Sequence, residues 1–168
     1  ATCGSTLKDY SHTLLADDPE HRERARAFSA KVQDVAEFLG AIPLREPRYP
    51  RKIRATYHDP CHLRRGQGIW QQPRQLLQLA GADLIELRES DWCCGSAGTQ
   101  AITHYDSSMQ ILARKMQNVA ETDAAVVAAG CPGCQLQLGL GAQRAGLSVK
   151  VMHPVQLLDR AYRNGDSE

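Results

Sequence analysis

The sequence predicts an α/β fold: a parallel four-stranded sheet covered by helices, with a helical appendage at its N-terminal end. Three observations carry this. Four short strand-like stretches recur along the chain, helical apolar periods separate them, and each stretch runs into a loop marked by Cys, Gly or Pro. Strands joined through helices pair in parallel, and a parallel sheet needs helices on its faces.

In chain order, residues 19–39 read first, as one amphipathic helix. Ala25, Phe28, Val32, Val35 and Leu39 recur at steps of three and four, which places them on one face. Asp17, Asp18 and Pro19 supply the start signals and Gly40 the stop. Residues 43–52 hold Pro43, Pro47 and Pro50 among several arginines, and read as an extended, solvated linker. Residues 53–58 are the first strand, leading into Asp59-Pro60-Cys61 and a helix that begins near Pro73. Residues 83–87 are the second, followed by Cys93-Cys94-Gly95 and a long helix. In that helix Ile102, Tyr105, Met109, Leu112, Met116 and Val119 share helical spacing, as a core-packing stripe does. Residues 124–129 are the third strand, ending in Gly130-Cys131-Pro132-Gly133-Cys134 and another helix. Residues 149–152 are the fourth, ending in His153-Pro154 and a last helix through Ala161. The division expected is 1–42, a linker over 43–52, and a strand–helix domain over 53–164.

The bulk numbers exclude several classes. With 168 residues the chain can bury one substantial core. A net charge of +1 lacks the basic excess of a nucleic-acid binder, so no nucleic-acid partner is expected. No apolar run approaches the ~20 residues that cross a bilayer, and no basic-then-apolar leader opens the chain. The absent initiator Met is expected of a piece of a longer protein. Six cysteines in a chain of this size, with periodic helices and strands, point to reduced thiols in a cytoplasmic setting and not to a secreted disulfide scaffold.

Functional groups in open parallel sheets gather beyond the carboxyl ends of the strands. Cys61, the Cys93-Cys94 pair and the Cys131/Cys134 pair each follow a different strand, so five thiols are expected to converge on one rim. Structural zinc closes with four ligands and leaves one cysteine idle. A redox dithiol uses Cys131 and Cys134 alone. An iron–sulfur cluster employs more thiolates, and is the reading that uses all five, with zinc as the alternative. Gly95 and Gly98 flank the pair and free backbone N–H groups to turn toward sulfur. Arg64 and Arg65 follow Cys61, where their charge would offset thiolates. Trp92 would shield the site, and His58, His62 and His153 read as hydrogen-bonding neighbours of the thiolates.

Tyr57-His58-Asp59-Pro60-Cys61-His62-Leu63, Cys93-Cys94-Gly95-Ser96-Ala97-Gly98 and Cys131-Pro132-Gly133-Cys134 together resemble the cysteine-rich CCG domain. That Rossmann-like domain occurs in heterodisulfide reductase subunits and in iron–sulfur subunits of flavin-linked dehydrogenases, above all of glycolate oxidase type. Leu7-Lys8-Asp9-Tyr10-Ser11-His12 and His153-Pro154-Val155-Gln156-Leu157-Leu158-Asp159 extend the resemblance over essentially the whole chain. It implies a 4Fe–4S cluster, non-cubane in heterodisulfide reductase and held there by five cysteines; a related domain holds zinc. It implies an electron-transfer role alongside a flavin-bearing subunit that oxidises glycolate or a similar 2-hydroxy acid. Electrons would pass on to quinone, with peripheral attachment at the inner membrane face through the complex. A third implied possibility is disulfide chemistry at the cluster. Cys3-Gly4 resembles the tail of a preceding domain of the same type over 1–42. The ferredoxin-like cysteine run of the family's longer members is missing from this sequence, as is a second complete motif.

Overall fold

The computed structural model describes residues 1–50 and 52–163; Arg51 of the expected linker and Asn164, the expected domain end, lie outside the described residues. The elements run α1 (Thr2–Lys8), α2 (Arg22–Ser29), α3 (Val35–Gly40), β1 (Arg54–His58), α4 (Cys61–Gln67), α5 (Gln71–Leu79) and β2 (Asp83–Ile85). They continue with α6 (Gln100–Thr103), α7 (Tyr105–Glu121), β3 (Val126–Ala129), α8 (Pro132–Arg144), β4 (Lys150–Met152) and α9 (Pro154–Tyr162).

All four strands pair in parallel, in the order β2-β1-β3-β4. β3 is buried on both faces, as a central strand of a helix-covered sheet must be. Its alternation divides the core in two. Val126 and Ala128 pack with Ala55, Tyr57, Leu76, Leu77, Met152 and Leu158 beneath α3, α5 and α9. Val127 and Ala129 face the other way, toward Leu112, Met116, Val119 and Leu138 of α7 and α8. The order matters for the site. From β1 the chain crosses outward to β2 on one side, and from β3 to β4 on the other. The crevice between the ends of β1 and β3 is therefore the switch point where such sheets bind their ligands.

Several local expectations are corrected. Residues 19–39 are not one helix: α2 and α3 are separate. The first ends at Ser29, and Asp34 starts the second with a capping box, its side chain accepting from Ala36 N at 2.9 Å while Glu37 reaches back to Asp34 N at 3.1 Å. Stretch 43–52 is irregular and largely exposed as read, but it is pinned to the domain at three points. Leu44 packs on the core, Pro47 is buried, and Tyr49 N donates to Ala161 O at 2.9 Å. The long helix breaks at His104 (φ −129°, ψ 54°), so Ile102 and Tyr105 leave the stripe; Ile102 is 82% exposed. Helices α1 and α4 are additional elements that the apolar pattern did not signal. Their reason is local: α4 starts on Pro60 and ends at Gly68 in the left-handed region (φ 70°).

Candidate metal centre

Each cysteine reaches the switch point for a local reason. β1 delivers His58 and Asp59 to its carboxyl end, and Pro60 turns the chain so that Cys61 opens α4. β3 ends at Ala129, and Cys131 is the N-cap of α8 with Pro132 in the first helical position, which puts Cys134 in the first turn. Between β2 and α6 a loop brings Cys93 and Cys94. Glu89, Gly95, Ala97 and Gly98 in that loop all adopt positive φ, a concentration of strain of the kind found at binding loops.

All six cysteines are free. The sulfurs of Cys94 and Cys134 lie within 4.8 Å of each other, and Cys93 and Cys131 flank them in sequence and act on them electrostatically. Cys94 and Cys134 are buried and Cys93 and Cys131 half-buried, while Cys61 lies at the exposed edge, where it faces Cys93 electrostatically. Cys3 is exposed on α1. His58 joins the group from β1: its ring nitrogen and the sulfurs of Cys94 and Cys134 lie within 4.8 Å of one another, all three residues buried. His58 Nδ1 is buried without a hydrogen-bond partner among the described residues.

The electrostatics divide the thiols into two that ionise readily and two that resist it. Hydrogen bonds from Cys134 and then Cys93 draw the Cys94 thiol far below its ordinary range, against its burial, and His58 adds to the effect. The Cys134 thiol hydrogen bond draws Cys131 down to about 5, opposed by burial and helped by the N–H groups of Cys134 and Gly133 at the start of α8. Cys93 and Cys134 are pushed up by their hydrogen bonds to the thiolates beside them, so the four thiols cannot all ionise without a cation among them. A buried, convergent set of soft donors with an orphaned imidazole nitrogen fits a thiolate-bound metal group. Gly133 leaves room for one: a Cβ there would lie 3.1 Å from Ser96 Oγ and 4.0 Å from Cys131 Sγ.

The other sequence-predicted residues divide. Gly95 N donates to Cys93 Sγ at 3.3 Å, the contact that its flanking position implied. At Gly98, φ 62° requires glycine-like freedom, and no bond to sulfur is found among the described residues. Arg64 donates to Asp59 Oδ2 at 2.8 Å and stacks over Trp70, and Arg65 pairs with Asp91 at 3.6 Å, so both charges are already engaged by carboxylates. His62 Nδ1 sits 3.5 Å from Cys61 Sγ. His153 caps α9, its Nδ1 accepting from Val155 N at 3.2 Å. Trp92 is exposed, with Arg114 over its ring at 5.1 Å.

Sequence reasoning passed over the groups that hold the loops. Asp59 is fully buried and receives both Nη groups of Arg74 at 2.8 Å as well as Arg64. Burial alone pushes its carboxyl up, but Arg74, Ser90 and Arg64 hold it below its ordinary value. Ser108 Oγ donates to Gly95 O at 2.8 Å and accepts from Gln137 Nε2 at 3.0 Å, linking the Cys93-Cys94 loop to the helix of Cys134. A signal existed for Asp59, since a carboxylate at the end of a buried strand needs a partner. None existed for Ser108 or Gln137.

A cysteine-rich domain family, CCG, matches residues 55–139, a span that contains all three cysteine loops. The chain belongs to the CCG family. This CCG chain is 42% identical over 163 residues to a probable glycolate oxidase iron–sulfur subunit of Bacillus subtilis, covering 93% of this chain and 36% of that protein. It is 32% identical over 166 residues to lactate utilization protein A of Oceanobacillus iheyensis, covering 98% of this chain and 67% of the relative. It is also 34% identical over 164 residues to a subunit of the fumarate reductase (CoM/CoB) of Methanothermobacter marburgensis, covering 96% of this chain and 31% of that protein. The chain thus spans about a third of the first and third of these relatives. Among the described residues no helix is long and apolar enough to cross a membrane.

Proposed function

We propose that this CCG domain, over 53–164, binds an iron–sulfur cluster through Cys61, Cys93, Cys94, Cys131 and Cys134, and serves as an electron-transfer part of a flavin-linked 2-hydroxy-acid dehydrogenase. The observation that carries the reading is the convergence of three cysteine loops on one switch point: Cys94 and Cys134 are buried with their sulfurs within 4.8 Å, Cys93 and Cys131 are half-buried, and Cys61 lies at the open edge. Five thiols exceed what one tetrahedral zinc uses. A bound 4Fe–4S cluster would supply one-electron storage. The chain's own part is to hold and surround it. Gly95 and the first turn of α8 aim N–H groups at sulfur, the burial of Cys94 and Cys134 keeps water from the inner side, and exposed Cys61 leaves an edge open to a donor or acceptor.

Two relatives carry names of glycolate oxidase and lactate utilization, and this supports the reading. By that likeness the partner is a flavin-bearing subunit that oxidises glycolate or a related acid, and the electrons leave toward quinone at the inner face of the membrane. Residues 1–42 are, on the same likeness, the tail of a preceding domain of the same type. Anaerobic reconstitution should give iron and sulfide in near-equal amounts, with a visible chromophore and an electron paramagnetic resonance signal. A colourless protein holding one zinc would reject the cluster. The chain alone should not reduce a dye with glycolate, whereas the complete complex should.

One observation favours a second reading. The buried trio His58, Cys94 and Cys134 is three-quarters of a tetrahedral nitrogen–sulfur site, and any of the neighbouring thiols would complete it. On that reading the domain is a zinc-stabilised structural module.

A further inference from the structure

The face of α7 turned toward the sheet carries Leu112, Met116 and Val119, as a core helix should, but Ser108, Lys115 and Asn118 lie on it too, and all are buried. Each polar member grips the Cys93-Cys94 loop. Ser108 donates to Gly95 O, Lys115 Nζ to Glu89 O, and Asn118 Nδ2 to Arg88 O at 3.1 Å and to the Glu89 carboxylate at 3.0 Å. Ser108 and Asn118 do this with neutral groups. Lys115 does it with an ammonium whose side chain is fully buried. A backbone carbonyl can be met by a hydroxyl or an amide, so the choice of lysine calls for a reason of its own.

Charge accounting sharpens the point. The other deeply buried ionic group, Asp59, is answered by Arg74 and Arg64. The Glu89 carboxylate is answered by Arg114. Among the described residues no carboxylate forms an ion pair with Lys115. A buried ammonium held only by a carbonyl is costly unless an anion stands nearby. Cys94 packs in one buried cluster with Leu112 and Met116, on the same helix face of α7 that carries Lys115, so the lysine and the paired-cysteine loop share that contact.

We propose that Lys115 is a fixed positive charge built in behind the Cys93-Cys94 loop, a positioning residue that stabilises the negative charge of a thiolate-bound centre from its inner side. The proposal rests on the cluster reading above. An electron taken up by the centre makes it more negative by one charge, and a nearby cation favours that uptake. Without the cation, reduction becomes harder.

The test compares the wild-type chain with Lys115→Gln, which keeps a neutral donor toward Glu89 O, and Lys115→Met, which keeps an unbranched chain one atom shorter. Each is reconstituted anaerobically, analysed for iron and titrated with dithionite through mediators while the chromophore is followed. The expected result is retained iron with a one-electron reduction equilibrium about tenfold less favourable in both variants, a midpoint lower by about 59 mV. Retained iron with an unmoved midpoint overturns the proposal. If the variants lose iron, thermal melting of the metal-free proteins decides: an unchanged Tm supports the charge role, and a Tm that falls along with the iron overturns it in favour of a merely structural lysine. The wild-type control separates the two failures, since a wild-type protein with no iron–sulfur chromophore refutes the cluster reading before any variant is compared.

Discussion

Ser108 and Gly95 meet twice across the α7–loop contact. Ser108 Oγ donates to Gly95 O at 2.8 Å, and a Cβ on Gly95 would come within 2.4 Å of Ser108 O. The helix backbone is thus packed against the one residue that follows the paired cysteines, at φ 90°. The loop has no room to shift outward without breaking the hydrogen bond that ties it, through Ser108, to Gln137 and the helix of Cys134.

Gly95→Ala should therefore damage the site far more than Gly98→Ala, although both glycines have positive φ. At Gly98 nothing lies within 4 Å of an added Cβ, and the cost is the backbone strain alone, about 1 kcal/mol. At Gly95 the collision with backbone adds about 1–3 kcal/mol and displaces Cys93 and Cys94. Thermal melts and metal content of the two variants check this; equal losses would show that the loop tolerates the shift.

Asp59→Asn should destabilise the fold by about 3 kcal/mol, because it leaves Arg74 partly buried opposite a neutral amide. The sign of the pH effect follows from the depressed carboxyl. Asp59 binds its proton more weakly folded than unfolded, so its stabilisation is complete above the ordinary carboxylate value of 3.8 and is lost as pH falls through the lower folded value. Urea melts taken from neutral pH down to about pH 2 should show a steeper acid loss in the wild type than in Asp59→Asn. Parallel curves would mean that the pair contributes little.

Three cysteine variants separate the possible metal groups. Cys94→Ser should abolish either an iron–sulfur cluster or a zinc site, since Cys94 is common to both sets of ligands. Cys61→Ser should remove the cluster yet leave zinc binding at His58, Cys94 and Cys134 intact, because Cys61 lies at the exposed edge. Cys3→Ser should change neither, being outside the sheet domain on α1. Iron, sulfide and zinc analysis reads all three, and a Cys3 variant as colourless as the Cys94 variant would mean that the site is drawn wrongly.

Leu14, Phe28, Val35, Phe38 and Ile42 are all exposed in the N-terminal segment, a concentration beyond scattered surface apolar residues. The isolated chain should self-associate at micromolar concentration and above. Phe28→Glu with Phe38→Glu should shift it toward monomer in sedimentation velocity without changing metal content. A wild-type chain that stays monomeric at high concentration would contradict this.

The class of fold and the convergence of the cysteine loops were legible in the sequence because each follows from local pattern. Strand-length apolar runs such as 124–129 can be buried only in a helix-covered sheet, and Cys61 and Cys131, two or three residues past parallel strands, arrive at the same rim, while the loop after β2 carries Cys93 and Cys94 there. Helix breaks between Ser29 and Asp34 and at His104 were harder to see, since an apolar period runs on through a cap that only backbone geometry enforces. What tertiary structure alone decided was pairing between distant residues. The strand order 2-1-3-4 placed the switch point between Cys61 and Cys131. It turned His58 toward Cys94 and Cys134, and set Asp59 against Arg74 and Ser108 against Gly95. Such pairs carry no periodic signal. They exist because burial in the sheet's crevice leaves each polar group one partner within reach, and the chain's crossovers choose which.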